Sequence, residues 1–208
     1  MTESHLITLD DYLGSAGVGP RRIIDAAAAL FRRRGFIPVS MIEVAQAVGL
    51  SKPGLYHHWP NKEALLQVIA RLSGELLLRQ IDDVRKNFDD PEQRMRAYVR
   101  TRLEIVAHHQ DLFTVTWQER ALLSSASFGE LSRMAERYRQ EIRQLIDEAK
   151  QAGFIRKDAD THLLMLALDG MTGWAYFWYR ESGDLAPDQI GDAFWNMLAH
   201  GVVQPAKA

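Results

Sequence analysis

The chain has 208 residues, of which 47% are hydrophobic and 25% charged, and its formal net charge is −2. A chain of this size and balance can bury a core without covalent staples, and its total charge gives no hint of a polyanionic partner. There is no cysteine, which excludes disulfides and thiolate metal sites and suits a reducing cytoplasm.

The N-terminal stretch MTESHLITLDDYLG is acidic and lacks an apolar run of signal-peptide length. Residues 1–19 read as a flexible arm ending at Gly17-Val18-Gly19-Pro20. Residues 21–34 then place Ile23, Ala27, Leu30 and Phe31 on one helical face. Gly35 follows as a C-cap, and Arg32–Arg34 suit the negative end of the helix dipole. Ser40-Met41-Ile42-Glu43 is a capping box that starts a short helix, which Gly49 stops. Ser51 caps the next helix, to residue 58, and Asn61 caps another whose apolar positions run from Leu65 to Ile81. Further helices are expected at Pro91–His108, Leu112–Leu123, Phe128–Ala152, Thr161–Arg180 and Pro187–Gly201. No stretch alternates with period two for long enough to be a strand, so the expected fold is all-α.

Charge is unevenly spread. Between Pro20 and Lys62 there are seven Lys/Arg against two acids, on a chain whose remainder is acidic. That asymmetry favours a polyanion partner for the first module. For Arg32–Arg34 taken by themselves, a solvated helix end is an equal reading.

The segment GLSKPGLYHHWPNKE sits inside this basic module. Helices 40–48 and 51–58, joined through Ala47-Val48-Gly49-Leu50, form a helix-turn-helix. Pro53 costs little in a first turn, where amides have no internal partner, and Gly54 lets that turn approach a surface. The free amides suit a phosphate, and Lys52, Tyr56, His57, His58 and Lys62 add donors. Leu55 and Trp59, four residues apart, read as packing residues; His58 fits either role.

The segment IIDAAAALFRRRGFIPVSMIEVAQAVGLSKPGLYHHWPNKEALL resembles the N-terminal domain of the TetR family of bacterial transcriptional regulators. It carries A-x-x-L-F-x-x-x-G-[FY], S-x-x-x-[VI]-A-x-x-x-G-[LV]-S and L-Y-x-H-[FW]-x-x-K-E-x-L at the family's spacing. The resemblance implies an all-helical homodimer with a helix-turn-helix DNA-binding domain at 20–66 and a ligand-binding and dimerisation domain at 67–208. It also implies an inverted-repeat operator in double-stranded DNA, contacted by Ser40, Lys52, Pro53, Gly54, Tyr56, His57 and Lys62. Trp59 stands where Phe is commonest, and Pro53-Gly54 is a less usual pair, so the base preference does not carry over.

Leu163–Arg180 is almost wholly apolar but short for a membrane span and broken by Asp169, Gly170 and Gly173. It reads as a buried helix facing its own core and a second subunit, with Trp174, Phe177, Trp178 and Phe194 as interface anchors. Plain core packing competes at each of the four. The C-terminal stretch, with Gly170, Trp174, Trp178, Tyr179 and Arg180, is similar to TetR regulators that respond to acyl-coenzyme A thioesters. Tyr98, Arg102, Trp117, Gln118, Met134, Tyr138, Met165, Asp169 and Trp174 are the expected pocket liners, with ordinary core packing as the competing reading.

His108-His109 do not make a metal site, because adjacent helical positions diverge by about 100°. No phosphate loop, nucleophile elbow or cofactor motif is present, so an enzyme is not expected. The rival is a helical small-molecule carrier with no DNA role, which would not retard DNA in a salt-dependent way.

Overall fold

The structure is a computed structural model, and it describes residues 18–201. Ten α-helices follow one another among these residues, with turns between them and no strand: α1 Val18–Arg34, α2 Met41–Val48, α3 Lys52–His58, α4 Lys62–Asn87, α5 Pro91–His108, α6 Gln110–Glu119, α7 Ser125–Gln151, α8 Thr161–Gly173, α9 Ala175–Trp178 and α10 Pro187–His200. Most of the expected arm lies outside the described residues; Val18 and Gly19, assigned to it, belong to α1.

The caps follow local chemistry. Ser40 Oγ accepts from the Glu43 amide at 3.3 Å, and the Ser40 amide donates to Glu43 Oε2 at 2.8 Å. Gly49 closes α2 in the left-handed region at φ 73. Asn61 Oδ1 accepts from the Ala64 amide at 2.8 Å, and Asp160 Oδ1 from Leu163 at 2.8 Å.

Three expected boundaries shift. α6 ends at Glu119, and Arg120–Leu122 form a 3₁₀ turn. α7 starts three residues earlier than expected, because Ser124 Oγ accepts from the Ser127 amide. The expected single helix Thr161–Arg180 breaks at Trp174, after Gly170 and Gly173 weaken it. A side chain at Gly173 would stand 3.2 Å from Arg102 Nη2, so the guanidinium would have to give way slightly to any larger residue.

Packing divides the chain into two units, and the division differs from the expected boundary after residue 66. Among the described residues, one unit joins 18–76 with His109–Glu136. Its core holds Ile23, Ile24, Ala27, Phe31, Leu55, Leu65, Leu66 and Ile69. α6 belongs to it because Arg32 Nη1 donates to Asp111 Oδ1 at 2.7 Å and the Phe36 amide donates to Glu119 Oε1 at 3.0 Å. The other unit joins Leu77–His108 with 137–201. Ile81, Met95, Tyr98, Val99, Ile142, Leu145, Ile146, Met165, Leu168 and Trp195 form its core. α5 and α10 touch most closely at Gly191, where a Cβ would lie 2.7 Å from Arg100 Cα. Among the described residues, no helix is long and apolar enough to cross a membrane.

Candidate nucleic-acid interface and effector region

α3 is short, and its outward side is polar. Ser51 Oγ accepts from the Gly54 amide at 3.2 Å, which fixes the first turn. A side chain on Gly54 would come 3.3 Å from that Ser51 oxygen, a tight approach to the capping group. Leu55 is fully buried and Trp59 partly so, and they pin the inner face. Lys52, Pro53, His57 and His58 are exposed, and Tyr56 is 42% exposed. The Lys52 ammonium lies 5.8 Å from the Tyr56 ring centroid.

Ser40, Lys52, Tyr56 and Lys62 line one shallow open depression, together with Ile37, Pro38, Val39, Met41 and Ile42. Pro53, Gly54 and His57 sit on α3 outside that lining. Lys62 differs from what was expected of it. Its ammonium donates to the carbonyls of Phe36 at 2.7 Å, Ile37 at 2.9 Å and Val39 at 2.9 Å. An ammonium has three donors, so none remains for a phosphate in this arrangement. Two of the three consecutive arginines are also engaged: Arg32 pairs with Asp111 and Arg34 with Glu43.

The expected pocket liners do not gather in one place. Tyr98, Arg102, Tyr138, Met165 and Asp169 come together between α5, α7 and α8. Tyr98 and Tyr138 share a hydrogen bond of 2.9 Å between their hydroxyls, both buried. The Arg102 guanidinium lies 5.6 Å from the Tyr138 ring centroid, and Nη2 lies 3.7 Å from Asp169 Oδ1. Burial pushes the Tyr98 hydroxyl well above the usual tyrosine range, and neighbouring Tyr138 adds to this. Burial works against the charge on Arg102, but Tyr138 and Asp169 outweigh it and the guanidinium stays charged. Met165 is packed in the core beside the two tyrosines.

Trp117 and Gln118 instead lie exposed on α6, with the Arg120 guanidinium over the Trp117 ring at 4.3 Å. Met134 belongs to the other unit. It lines a cleft of about 200 Å³ with Gln67, Val68, Ala70, Arg71, Ser127, Glu130 and Leu131. Its methyl group fills the space over Gly74, 2.9 Å from where a Cβ would stand. Trp174 is 46% exposed and faces outward with Phe177 (61%) and Trp178 (37%). Phe194 lies under Trp178, with ring centroids 6.2 Å apart, and packs against the core.

His108 Nδ1 donates to the Glu104 carbonyl at 2.6 Å. Among the described residues, no group of three or more acidic or imidazole side chains is placed to hold a metal ion.

Residues 23–69 match the family described as bacterial regulatory proteins, tetR family, and residues 89–202 match the tetracyclin repressor-like C-terminal domain. The chain belongs to the TetR family. It is therefore a DNA-binding transcriptional regulator. This TetR-family chain is similar to the transcriptional repressor KstR2 of Rhodococcus jostii, with 26% identity over 199 residues, covering 94% of this chain and 96% of the relative. It superimposes on the regulator PfmR of Thermus thermophilus with a TM-score of 0.81 at 25% identity, covering 88% of this chain and all of that one. It also resembles AibR, solved in complex with isovaleryl coenzyme A and operator DNA, with a TM-score of 0.74 at 30% identity, over 85% of this chain and 96% of that one.

The grips of Asp111 and Glu119 on the region around α1 are not visible in the sequence. Each joins residues about eighty positions apart, and no local pattern marks them.

Proposed function

We propose that the chain is a homodimeric repressor, acting in the cytoplasm, that holds an inverted-repeat operator through α3 and leaves it when an acyl-coenzyme A thioester or a related amphipathic carboxylic derivative binds the C-terminal region. Its role is binding rather than catalysis. The observation that carries the DNA reading is the capped, outward-facing start of α3, where Lys52 and Tyr56 line one depression with Ser40 while Pro53 and His57 lie exposed on the same helix. KstR2 is named a repressor, which supports the sign of regulation.

The dimer reading rests on the outward apolar side chains Trp174, Phe177 and Trp178 of the α8–α9 region, with Leu163, Leu166 and Met197 also exposed in the single chain. Large apolar side chains left exposed together favour an association site.

The effector reading rests on AibR, which was solved with isovaleryl coenzyme A, and on the buried Arg102–Tyr98–Tyr138 cluster. The cluster places a buried cation beside two tyrosines, whose hydroxyls bond each other, within an otherwise apolar interior. The cleft of about 200 Å³ beside Met134 is below the roughly 300–1,000 Å³ usual for ligand pockets. α4 is one continuous helix from Lys62 to Asn87, so displacement along it reaches the start of the DNA-reading region. A preference of roughly 1–3 kcal/mol for the released state changes operator affinity about 5- to 150-fold.

The test titrates acyl-coenzyme A thioesters of graded chain length into the protein bound to DNA from its own upstream region. Release followed by anisotropy is expected, with weaker thioester binding when operator is present. Calorimetry showing no binding, or binding indifferent to operator, removes the thioester while leaving the DNA reading in place.

A further inference from the structure

The turn between α1 and α2 is held from two sides by charged groups. On one side, the Lys62 ammonium at the start of α4 converges on the carbonyls of Phe36, Ile37 and Val39. It also stands 4.4 Å from the Phe36 ring centroid, an attractive cation–ring contact. On the other side, the carboxylate of Glu119, the last residue of α6, accepts the Phe36 amide at 3.0 Å. Both backbone polar groups of Phe36 are thus held by ionised side chains from different helices. The Phe36 ring is buried edge-on against Phe31, with centroids 5.1 Å apart. Four residues later comes Ser40, the N-cap of α2, and α2 leads through Gly49 directly into α3.

We infer that Lys62 and Glu119 are positioning residues for operator binding: they clamp the 36–39 turn, and through it set Ser40 and the α2–α3 pair, without either side chain touching DNA. Charge-assisted hydrogen bonds are about twice as strong as neutral ones, and here four of them meet on one turn. The ammonium is committed in full, because its three hydrogens have three carbonyl acceptors. A phosphate would have to outbid all three and the Phe36 ring together. The clamp also gives α6 a direct hold on the start of the DNA-reading helices, which the helix-turn-helix pattern does not contain.

The inference rests on α3 and Ser40 facing DNA, and the test separates the two. Binding is measured by anisotropy as a function of salt, on a labelled duplex from the protein's own upstream region and on a random-sequence duplex. Lys62→Met is expected to weaken upstream-duplex binding about tenfold with an unchanged salt slope. Lys62→Arg should fall short of wild type, since a longer planar guanidinium spreads its donors in a fork and does not converge three of them on one point as the ammonium does; a phosphate contact would tolerate Arg well. Glu119→Ala removes a negative charge, which by charge alone tightens DNA binding; the clamp requires it to weaken binding. Hydrogen exchange on the DNA-free protein should show faster exchange at Phe36 and Ser40 in Lys62→Met and Glu119→Ala. A salt slope that falls by about one unit in Lys62→Met, recovery in Lys62→Arg, tighter or unchanged binding in Glu119→Ala, or unchanged exchange at Phe36 and Ser40 each overturns the clamp. If the wild-type protein prefers no upstream duplex over the random one, the operator reading fails, and exchange at Phe36 and Ser40 still decides the clamp.

Discussion

Tyr56 and Tyr98 show how differently the two units use the same chemistry. Tyr56 stands on a seven-residue helix, 42% exposed, with the Lys52 ammonium nearby. Tyr98 is fully buried in the middle of α5, its hydroxyl spent on Tyr138 and its neighbour Arg102 buried with it. Polar groups kept outward on a short capped helix are available to a polyanion. Polar groups buried on long helices must satisfy one another, because an unmade buried hydrogen bond is costly. The outward surfaces differ in the opposite sense: α3 presents cations and rings with polar edges, while α8 and α9 present bare apolar side chains. Lys62 lies within the first unit yet behaves like the second, with its charge turned inward.

The largest effect is expected where that apolar surface is charged. Trp178→Asp places a carboxylate among Trp174, Phe177 and Phe194. If this surface joins two copies, dimerisation should weaken at least a hundredfold, about 3 kcal/mol, while helix content persists. Light scattering that finds a folded, unchanged dimer would show that the contrast in outward surfaces has nothing to do with assembly.

Arg102→Ala follows. It removes a buried side chain packed over Tyr138 and leaves Asp169 without its partner. Asp169 is 51% exposed at its side chain and keeps much of its hydration, so the cost should be about 3 kcal/mol, near the lower end for breaking a buried pair. Urea midpoints measure it. Random-duplex binding should not change, and a loss there would mean that the buried and exposed polar sets are not independent.

Smaller in stability, but decisive for function, are Lys52→Ala and Tyr56→Ala. Both side chains are exposed, so unfolding midpoints should move by no more than about 0.5 kcal/mol. Lys52→Ala should lower affinity for every duplex and reduce the salt slope by about one unit. Tyr56→Ala removes a neutral donor, so affinity should fall with the slope unchanged. A Lys52→Ala protein with wild-type slope would move that side chain off the DNA.

The caps, the glycine turns and the helix-turn-helix were legible because their signals are local: a serine three residues before a glutamate, a glycine that must take positive φ. The break at Trp174 was less so: Gly170 and Gly173 mark a weak stretch of helix but not the residue at which it ends. The pocket liners were chosen as polar or bulky residues on inward faces, and five of nine do converge. Trp117, Gln118 and Met134 went elsewhere because His109–Glu136 packs with the DNA-reading helices, a choice made by Asp111 and Glu119 reaching across some eighty residues. Lys62 was read as a donor for DNA because its carbonyl partners lie in a turn over twenty residues earlier, where backbone acceptors leave no mark in composition.

The smallest effect concerns Glu43, the partly exposed carboxylate that closes the cap of α2. Hydrogen bonds from the Ser40 amide, then from the Ser40 hydroxyl, then from Arg34, lower its pKa to about 2. A carboxylate of this type titrates near 4.3 in an unfolded chain. The folded value is the lower one, so the unfolded state binds the proton first. Ionised Glu43 therefore contributes its stability in full above about pH 4.3, and the contribution declines as pH falls and is lost through about 2. Glu43→Gln keeps a neutral acceptor for the Ser40 amide but cannot titrate. Its unfolding midpoint should lie below wild type at neutral pH, and the two should converge as the pH is lowered from about 4 towards 2. A gap that stays constant over that range would show that the cap works as well neutral as charged, and that its ionised form adds nothing to holding α2 in place.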